Sequence, residues 1–238
     1  MKQQDQKLLL FGAGGAIGQQ IQAKFIAEGW DVVSTGRHAN PEKDKKHVWV
    51  QVDPLAPDFD GSVFEGHAPF TAVCWAQGAN LNDSAYDVNL EKHMELYRAN
   101  CLFILAGLQK LLARKLLAPA SRLCVISSIW QNMARQDKLS YGMTKAALQG
   151  LVLSAAADLA ADGHLINAVL PGVLDTPMTR RNLSAEQVKQ VSSATKFNRL
   201  PALDDVANMV FYLCSPQNTG ITGQFITSDL GFSHVRLL

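Results

Sequence analysis

The stretch "ISSIWQNMARQDKLSYGMTKAALQGLV", residues 126–152, places a serine, a tyrosine and a lysine where they can share one chemistry. Tyr141 and Lys145 stand four residues apart at the start of a predicted helix and so share a face, while Ser128 follows an apolar strand-like run. A phenol with a pKa of about 10 exchanges protons poorly near neutrality, and lowering it by about three units takes roughly 4 kcal/mol. One ammonium about 4 Å away supplies that order at an effective dielectric of about 20. The trio therefore predicts proton transfer to or from an oxygen, with Tyr141 as acid or base. Tyr-x-x-x-Lys alone is equally a solvated pair on a helix face; the serine at a strand end favours a site.

A second chemical feature lies near the start, in "LLLFGAGGAIGQQIQAKFIAEGW", residues 8–30. Its glycines follow the spacing Gly12-x-x-Gly15-x-x-Gly18, with Gly14 added and Ala16 and Ile17 between, rather than G-x-G-x-x-G. Between a strand and a helix such a turn offers backbone N–H groups and the positive end of a helix dipole, which suits a pyrophosphate. Without a ligand, the same turn serves close helix–strand packing.

Both features need a frame, and the patterning provides one. Apolar runs at 7–11, 31–35, 48–52, 71–75, 121–127, 164–170 and 224–227 read as strands buried on both faces. Helical patterns lie at 17–28, 60–66, 85–116, 140–161 and 203–214. Such βαβ alternation predicts a Rossmann-like, doubly wound parallel α/β sheet of about seven strands with helices on both faces. The 238 residues, 47% of them hydrophobic, fit one domain over 1–238. Residues 174–200 are long, polar and weakly patterned after a strand end, the place for a substrate-binding loop.

Composition narrows the classes further. A formal charge of +1, with the densest charged stretch at 42–46 mixing signs, argues against a nucleic-acid surface. The polar start "MKQQDQK" lacks the apolar core of a signal peptide and no apolar run is long enough to span a membrane, so a cytoplasmic location is expected. Cys74, Cys101, Cys124 and Cys214 stand apart within apolar segments and read as buried thiols, and the six histidines lack ligand spacing, so no metal site is expected.

Taken together, the glycine turn, Asp53, Asn100, Ser128, Tyr141 with Lys145, "PGVLDT" from Pro171 to Thr176 and "ITGQFITSDLG" from Ile221 to Gly231 resemble the short-chain dehydrogenase/reductase family over essentially the whole chain. The resemblance implies a Ser-Tyr-Lys-Asn tetrad. Tyr141 would protonate a substrate carbonyl or deprotonate the alcohol, Ser128 would hold that oxygen, Lys145 would bind the nicotinamide ribose and lower the phenol pKa, and Asn100 would anchor a water relay to Lys145. It also implies dinucleotide contacts at Gly12, Gly14, Gly15, Ala16, Ile17, Gly18, Asp53 and Gly78, and nicotinamide contacts at Pro171, Gly172 and Thr176. Asp53 is also suited to capping a turn, and Asn100 to satisfying a backbone carbonyl.

Departures from the family pattern are concentrated in the first half. The usual Thr before the first glycine is Phe11, the common Gly-x-x-x-Gly-x-Gly finds Ala16 at its middle glycine, and Asn-Asn-Ala-Gly becomes Trp75-Ala76-Gln77-Gly78. The glycine spacing looks like that of extended members, although length and tetrad look like the short ones. At the end of the second strand, "DVVSTGRHAN", Gly36 replaces the acid that would accept from the ribose hydroxyls of NAD, and Arg37 follows it. A guanidinium is suited to a 2′-phosphate, so NADP is expected over NAD.

These residues predict an NADP(H)-dependent oxidoreductase interconverting a carbonyl and a secondary alcohol on a small-molecule substrate. Alternatives are a nucleotide-sugar epimerase or dehydratase, a dihydropteridine reductase-like enzyme, and a non-catalytic dinucleotide-binding regulator. Apolar residues around the helices at 85–116 and 140–161 predict a homodimer or homotetramer. Trp130, Gln131 and Met133 after Ser128, with Arg180 and Arg181 in the loop, suggest a partly apolar pocket with a cationic lip.

Overall fold

Strand β1 (Lys7–Phe11) shows why the apolar runs are continuous. Successive side chains leave a strand on opposite faces, so Leu9 and Phe11 enter one core while Leu8 and Leu10 enter a second. The computed structural model describes residues 6–39 and 48–235, and the side chains of all of these except Met178 and Asn182. The first five residues, which contributed to the reading of the chain start, and the charged stretch 42–46 lie outside the described residues.

The remaining strands are β2 (Asp31–Gly36), β3 (Val48–Gln51), β4 (Phe70–Trp75), β5 (Leu117–Ile126), β6 (Leu165–Pro171) and β7 (Phe225–Ser228). They form one parallel sheet in the order β3-β2-β1-β4-β5-β6-β7, so the winding direction reverses between β1 and β4. In such sheets ligands bind beyond the carboxyl ends of the strands at that switch. Helices α1 (Ala16–Ala27) and α7 (Leu203–Cys214) cover one face through Ile21, Phe25, Val206 and Val210. Helices α2 (Leu90–Tyr97), α3 (Phe103–Ala113) and α4 (Leu139–Asp158) lie on the other, where Ile104, Leu108, Leu148 and Val152 pack. The four cysteines are free and buried; Cys74 and Cys124 are register partners on β4 and β5, in the same core as Cys214.

Several boundaries depart from the sequence reading. The expected helix over 85–116 is three pieces: α2, a π-helical turn at Arg98–Leu102, and α3. It starts late because Asn89 caps it, accepting from the Lys92 N–H at 3.0 Å, while Asp87 closes a turn onto Ser84. Residues 60–66 contribute only a 3₁₀ turn at Ser62–His67. Strand β5 starts at Leu117 rather than at 121, with a register shift against β4. Within 174–200 lie two short helices, α5 (Pro177–Asn182) and α6 (Ala185–Ser193). Thr176 caps α5 ahead of Pro177, and Ser184 forms a capping box with Gln187 at the start of α6.

Candidate functional site

The glycine turn is shaped by contact between backbones. Gly12 has φ +77°, and a Cβ there would lie 2.4 Å from the Gln77 nitrogen; a Cβ on Gly18 would lie 2.2 Å from the Gly12 carbonyl oxygen. Both positions therefore exclude side chains, holding β1 against the segment after β4 and α1 against the turn. Gly15 is the N-cap of α1, no side chain caps it, and the first helical turn carries no acid. The first amides and the positive dipole end thus face outward, as an anionic ligand requires.

A cavity of about 940 Å³ opens there, lined by Gly12, Gly14, Gly15, Ala16, Ile17, Arg37, Asp53, Gly78 and Thr176 among others. That is the upper end of the range of about 300–1,000 Å³ for small-molecule sites. Gly18 lies beneath it, buried. At the end of β2, a Cβ on Gly36 would fall 2.5 Å from the Trp49 ring, whose Nε1–H donates to the His38 carbonyl at 3.1 Å. A side chain at position 36 would therefore have to displace the Trp49 ring, while Arg37 lines the cavity. Asp53 accepts from the Leu55 N–H at 2.9 Å, so its carboxylate caps a turn as well as lining the cavity. The donor and charge pattern of this cavity fits a dinucleotide: glycine amides, an open helix N-terminus and Arg37.

Ile17 and Thr176 also line a smaller cavity of about 140 Å³, together with Ser128, Tyr141, Pro171 and Gly172. Ser128 leaves the end of β5 and caps the following 3₁₀ turn, accepting from the Trp130 N–H at 3.3 Å. Burial pushes the Tyr141 phenol up, and a hydrogen bond with Ser128 draws it part of the way back. The net direction is the opposite of the depression expected from a neighbouring ammonium, because burial penalises the phenolate more than Ser128 stabilises it. Lys145, 3% exposed, is itself pushed down to about 8 by burial; its Nζ donates to the Ile126 carbonyl at 3.2 Å and stands 5.6 Å from the Tyr141 ring centroid.

Asn100 sits in the π-helical turn between α2 and α3, 1% exposed. Its Oδ1 accepts from the Ala79 N–H at 2.8 Å, and its Nδ2 donates to the Ala79 carbonyl at 3.1 Å and to Thr144 Oγ1 at 2.9 Å. The side chain thus fixes the segment after β4 rather than reaching Lys145. The two still meet across Gly78, where a Cβ would lie 3.6 Å from both Asn100 Oδ1 and Lys145 Nζ.

The cationic lip falls elsewhere than expected. Arg180 is exposed and paired with Asp175 through two bonds of 2.8 and 2.9 Å, and Arg181 lines the larger cavity. The cations at the smaller cavity are Arg135 and Lys138. Lys138 was missed, although three residues before Tyr141 on the same helix face was a usable signal. Among the described residues no group of His, Cys, Asp or Glu is arranged to hold a metal ion, and no helix is long and apolar enough to cross a membrane.

The enoyl-(acyl carrier protein) reductase family model of the short-chain dehydrogenase/reductases matches residues 68–233. The chain belongs to the short-chain dehydrogenase/reductase family. It is 33% identical over 241 residues to dehydrogenase/reductase SDR family member 6 of Rattus norvegicus, covering 95% of this chain and 96% of that protein. Likewise it is 32% identical over 242 residues to the 3-oxoacyl-[acyl-carrier-protein] reductase FabG of Aquifex aeolicus, with the same coverage of 95% and 96%. The solved structure of ElxO with NADP bound superposes with a TM-score of 0.86 at 22% identity, covering 96% of this chain and 99% of that one, a likeness of fold. The chain is thus an oxidoreductase of the CH–OH/C=O couple, in a family that uses NAD(P)(H).

Proposed function

We propose that this oxidoreductase is NADP(H)-dependent and interconverts a carbonyl and a secondary alcohol with Tyr141 as the acid/base. The observation that carries the reading is the Ser128–Tyr141 hydroxyl pair at the smaller cavity, with Lys145 buried behind it and the glycine-lined cavity alongside. The bound nicotinamide supplies or accepts the hydride. Ser128 holds the substrate oxygen, and Tyr141 gives its hydroxyl proton to that oxygen in reduction or takes it in oxidation. Lys145, hydrogen-bonded to Ile126, stabilises the phenolate that forms and offers its ammonium to the ribose. Asn100 is a positioning residue, holding Ala79 and Thr144 and so the wall beside Lys145. Gly12 to Gly18 bring backbone amides to the pyrophosphate, Asp53 and Gly78 border the adenosine and nicotinamide halves, and Pro171, Gly172 and Thr176 border the nicotinamide.

Preference for NADP rests on the end of β2. Position 36 carries no acid of the kind that selects NAD, a side chain there would meet the Trp49 ring, and the neighbouring guanidinium suits a 2′-phosphate. Catalytic efficiency is expected to favour NADPH over NADH by about tenfold or more, the span of one or two charge-assisted bonds, and Arg37→Ala to remove most of that margin. Equal use of both by the parent enzyme refutes the preference. The loop at 174–200 covers the substrate side, contributing Thr176, Thr179 and Leu183 to the smaller cavity. Exposed Met94, Leu105, Met143 and Leu153 on α2, α3 and α4 support association into a homodimer or homotetramer, and the four free thiols suit the cytoplasm.

A further inference from the structure

The smaller cavity carries more positive charge than proton transfer to a carbonyl requires. Lys138, the N-cap residue of α4, is only 7% exposed, yet its ammonium reaches the cavity that Ser128 and Tyr141 line. Its Nζ donates to Asn80 Oδ1 at 2.6 Å and to Asn82 Oδ1, both neutral acceptors, and lies 5.5 Å from the Tyr141 ring centroid. Arg135, half-buried, lines the same cavity and opposes the Lys138 charge. None of the ion pairs among the described residues includes either cation. The buried acid nearby, Asp83, directs its carboxylate to the Ser140 N–H at 2.9 Å and to the Ser140 hydroxyl. Burial and Arg135 push Lys138 down to about 8, against the opposing pull of Asp83 and Asp137. Burying an ammonium that no ion pair closes is costly, and two like charges at one cavity raise that cost.

We infer that the substrate supplies the counter-charge: the enzyme acts on a short oxo acid or hydroxy acid whose carboxylate is bound by Lys138, with Arg135 at the rim. This rests on the carbonyl–alcohol reading above and specifies its substrate class. The volume of about 140 Å³ is well below that of drug-sized sites, about 300–1,000 Å³, and so suits a short chain. Lys138, Ser128 and Tyr141 line the same small cavity, so a carboxylate on the ammonium keeps its own carbon chain in the space the two hydroxyls share. Trp130, Val173, Leu174 and Leu183 offer apolar wall to that chain. In reduction the carbonyl carbon gains a hydride from the reduced nicotinamide and the carbonyl oxygen gains the Tyr141 proton; the carboxylate is a handle and is unchanged.

Two measurements test this separately from the parent reading. Steady-state reduction of 3-oxobutanoate and 4-oxopentanoate is compared with that of their methyl esters. The parent is expected to prefer each acid, and Lys138→Gln to lower kcat/KM for the acids by about tenfold to a hundredfold, the span of a lost charge-assisted bond, with the esters little changed. Lys138→Arg, which keeps the charge, should retain most acid selectivity, and Arg135→Gln should lose a smaller part of it. Preference for the esters, or an equal loss on acid and ester in Lys138→Gln, overturns the inference and leaves the carbonyl–alcohol reading intact. Binding of butanoate against butanamide is followed in parallel by saturation-transfer NMR on the parent and the variants. If no carbonyl is turned over, the parent reading fails, and butanoate binding still decides: selective binding that disappears in Lys138→Gln upholds carboxylate recognition, and its absence in the parent refutes it.

Discussion

The half of the crevice on β1, β2 and β4 and the half on β5, α4 and β6 hold their geometry by different means. In the first, position is fixed by backbone proximity and aromatic packing: Gly12 lies against Gln77, Gly18 against Gly12, Gly36 against Trp49, and the Phe11 and Trp75 rings stack at 5.8 Å and 1°. In the second, polar side chains hold the elements and tie them to the segment after β4. Asn100 binds Ala79 and Thr144, Asp83 binds Ser140, Ser127 binds Gln131 at 2.8 Å, and both lysines are tied to oxygen acceptors. A backbone contact needs only a missing Cβ and tolerates change in the residues around it. A hydrogen-bonded network depends on every member, because each buried group left unpaired costs about 1–3 kcal/mol. Departures from the family pattern accordingly collect in the first half, and the family model matches from residue 68 onward, leaving β1 to β3 outside.

The largest expected difference is in what each half does to turnover. Tyr141→Phe keeps the ring and its packing and removes the transferable proton, so turnover should fall by at least about a hundredfold, the usual contribution of a positioned acid or base. Cofactor affinity, read by fluorescence titration, should stay nearly unchanged, because the Tyr141 side chain faces the smaller cavity. Turnover within tenfold of the parent removes Tyr141 from its role.

Gly18→Ala tests the other half. Its Cβ would meet backbone, the Gly12 carbonyl oxygen and the Ala13 Cα, rather than a flexible side chain, so α1 must shift away from the turn. Cofactor affinity should weaken by about tenfold or more and thermal stability should drop, in line with overpacking penalties of about 1–3 kcal/mol. A variant that binds NADPH as tightly as the parent shows that the turn does not need this close approach.

What was legible in the sequence follows the same division. Strand runs and the order Ser128, Tyr141, Lys145 are periodic or local signals; the sheet assembles as the runs predict, and Ser128 and Tyr141 line the same cavity. The break of the long helix at Arg98–Leu102 was not legible, because α2 and α3 continue the same apolar pattern through a π-helical turn set by tertiary contacts: Asn100 to Ala79, and the Cys101 thiol to the Thr144 carbonyl at 3.2 Å. The charge on Lys138 was legible only as a residue type. Its burial depends on Asn80 and Asn82, more than fifty residues away in sequence.

The smallest effect, and the sharpest test of the difference between the halves, is the coupling between Phe11 and Trp75. They are register partners on β1 and β4, and they occupy the two positions where the chain departs from the Thr and Asn of its family. These two departures are therefore neighbours in space, and their rings stack. Thr35, the partner of Phe11 on β2, and Trp75 keep a buried hydroxyl and indole N–H without partners. Phe11→Thr and Trp75→Asn should each destabilise by about 3–5 kcal/mol as large-to-small core changes. The double variant should lose less than the sum, by about 0.5–1.5 kcal/mol for the shared stack and by whatever hydrogen bond the two polar residues regain. Chemical denaturation of the four proteins measures this coupling. Strict additivity means that the two rings are independent fillers, whereas a coupling of the expected sign shows that the stack holds β1 and β4 together as a unit.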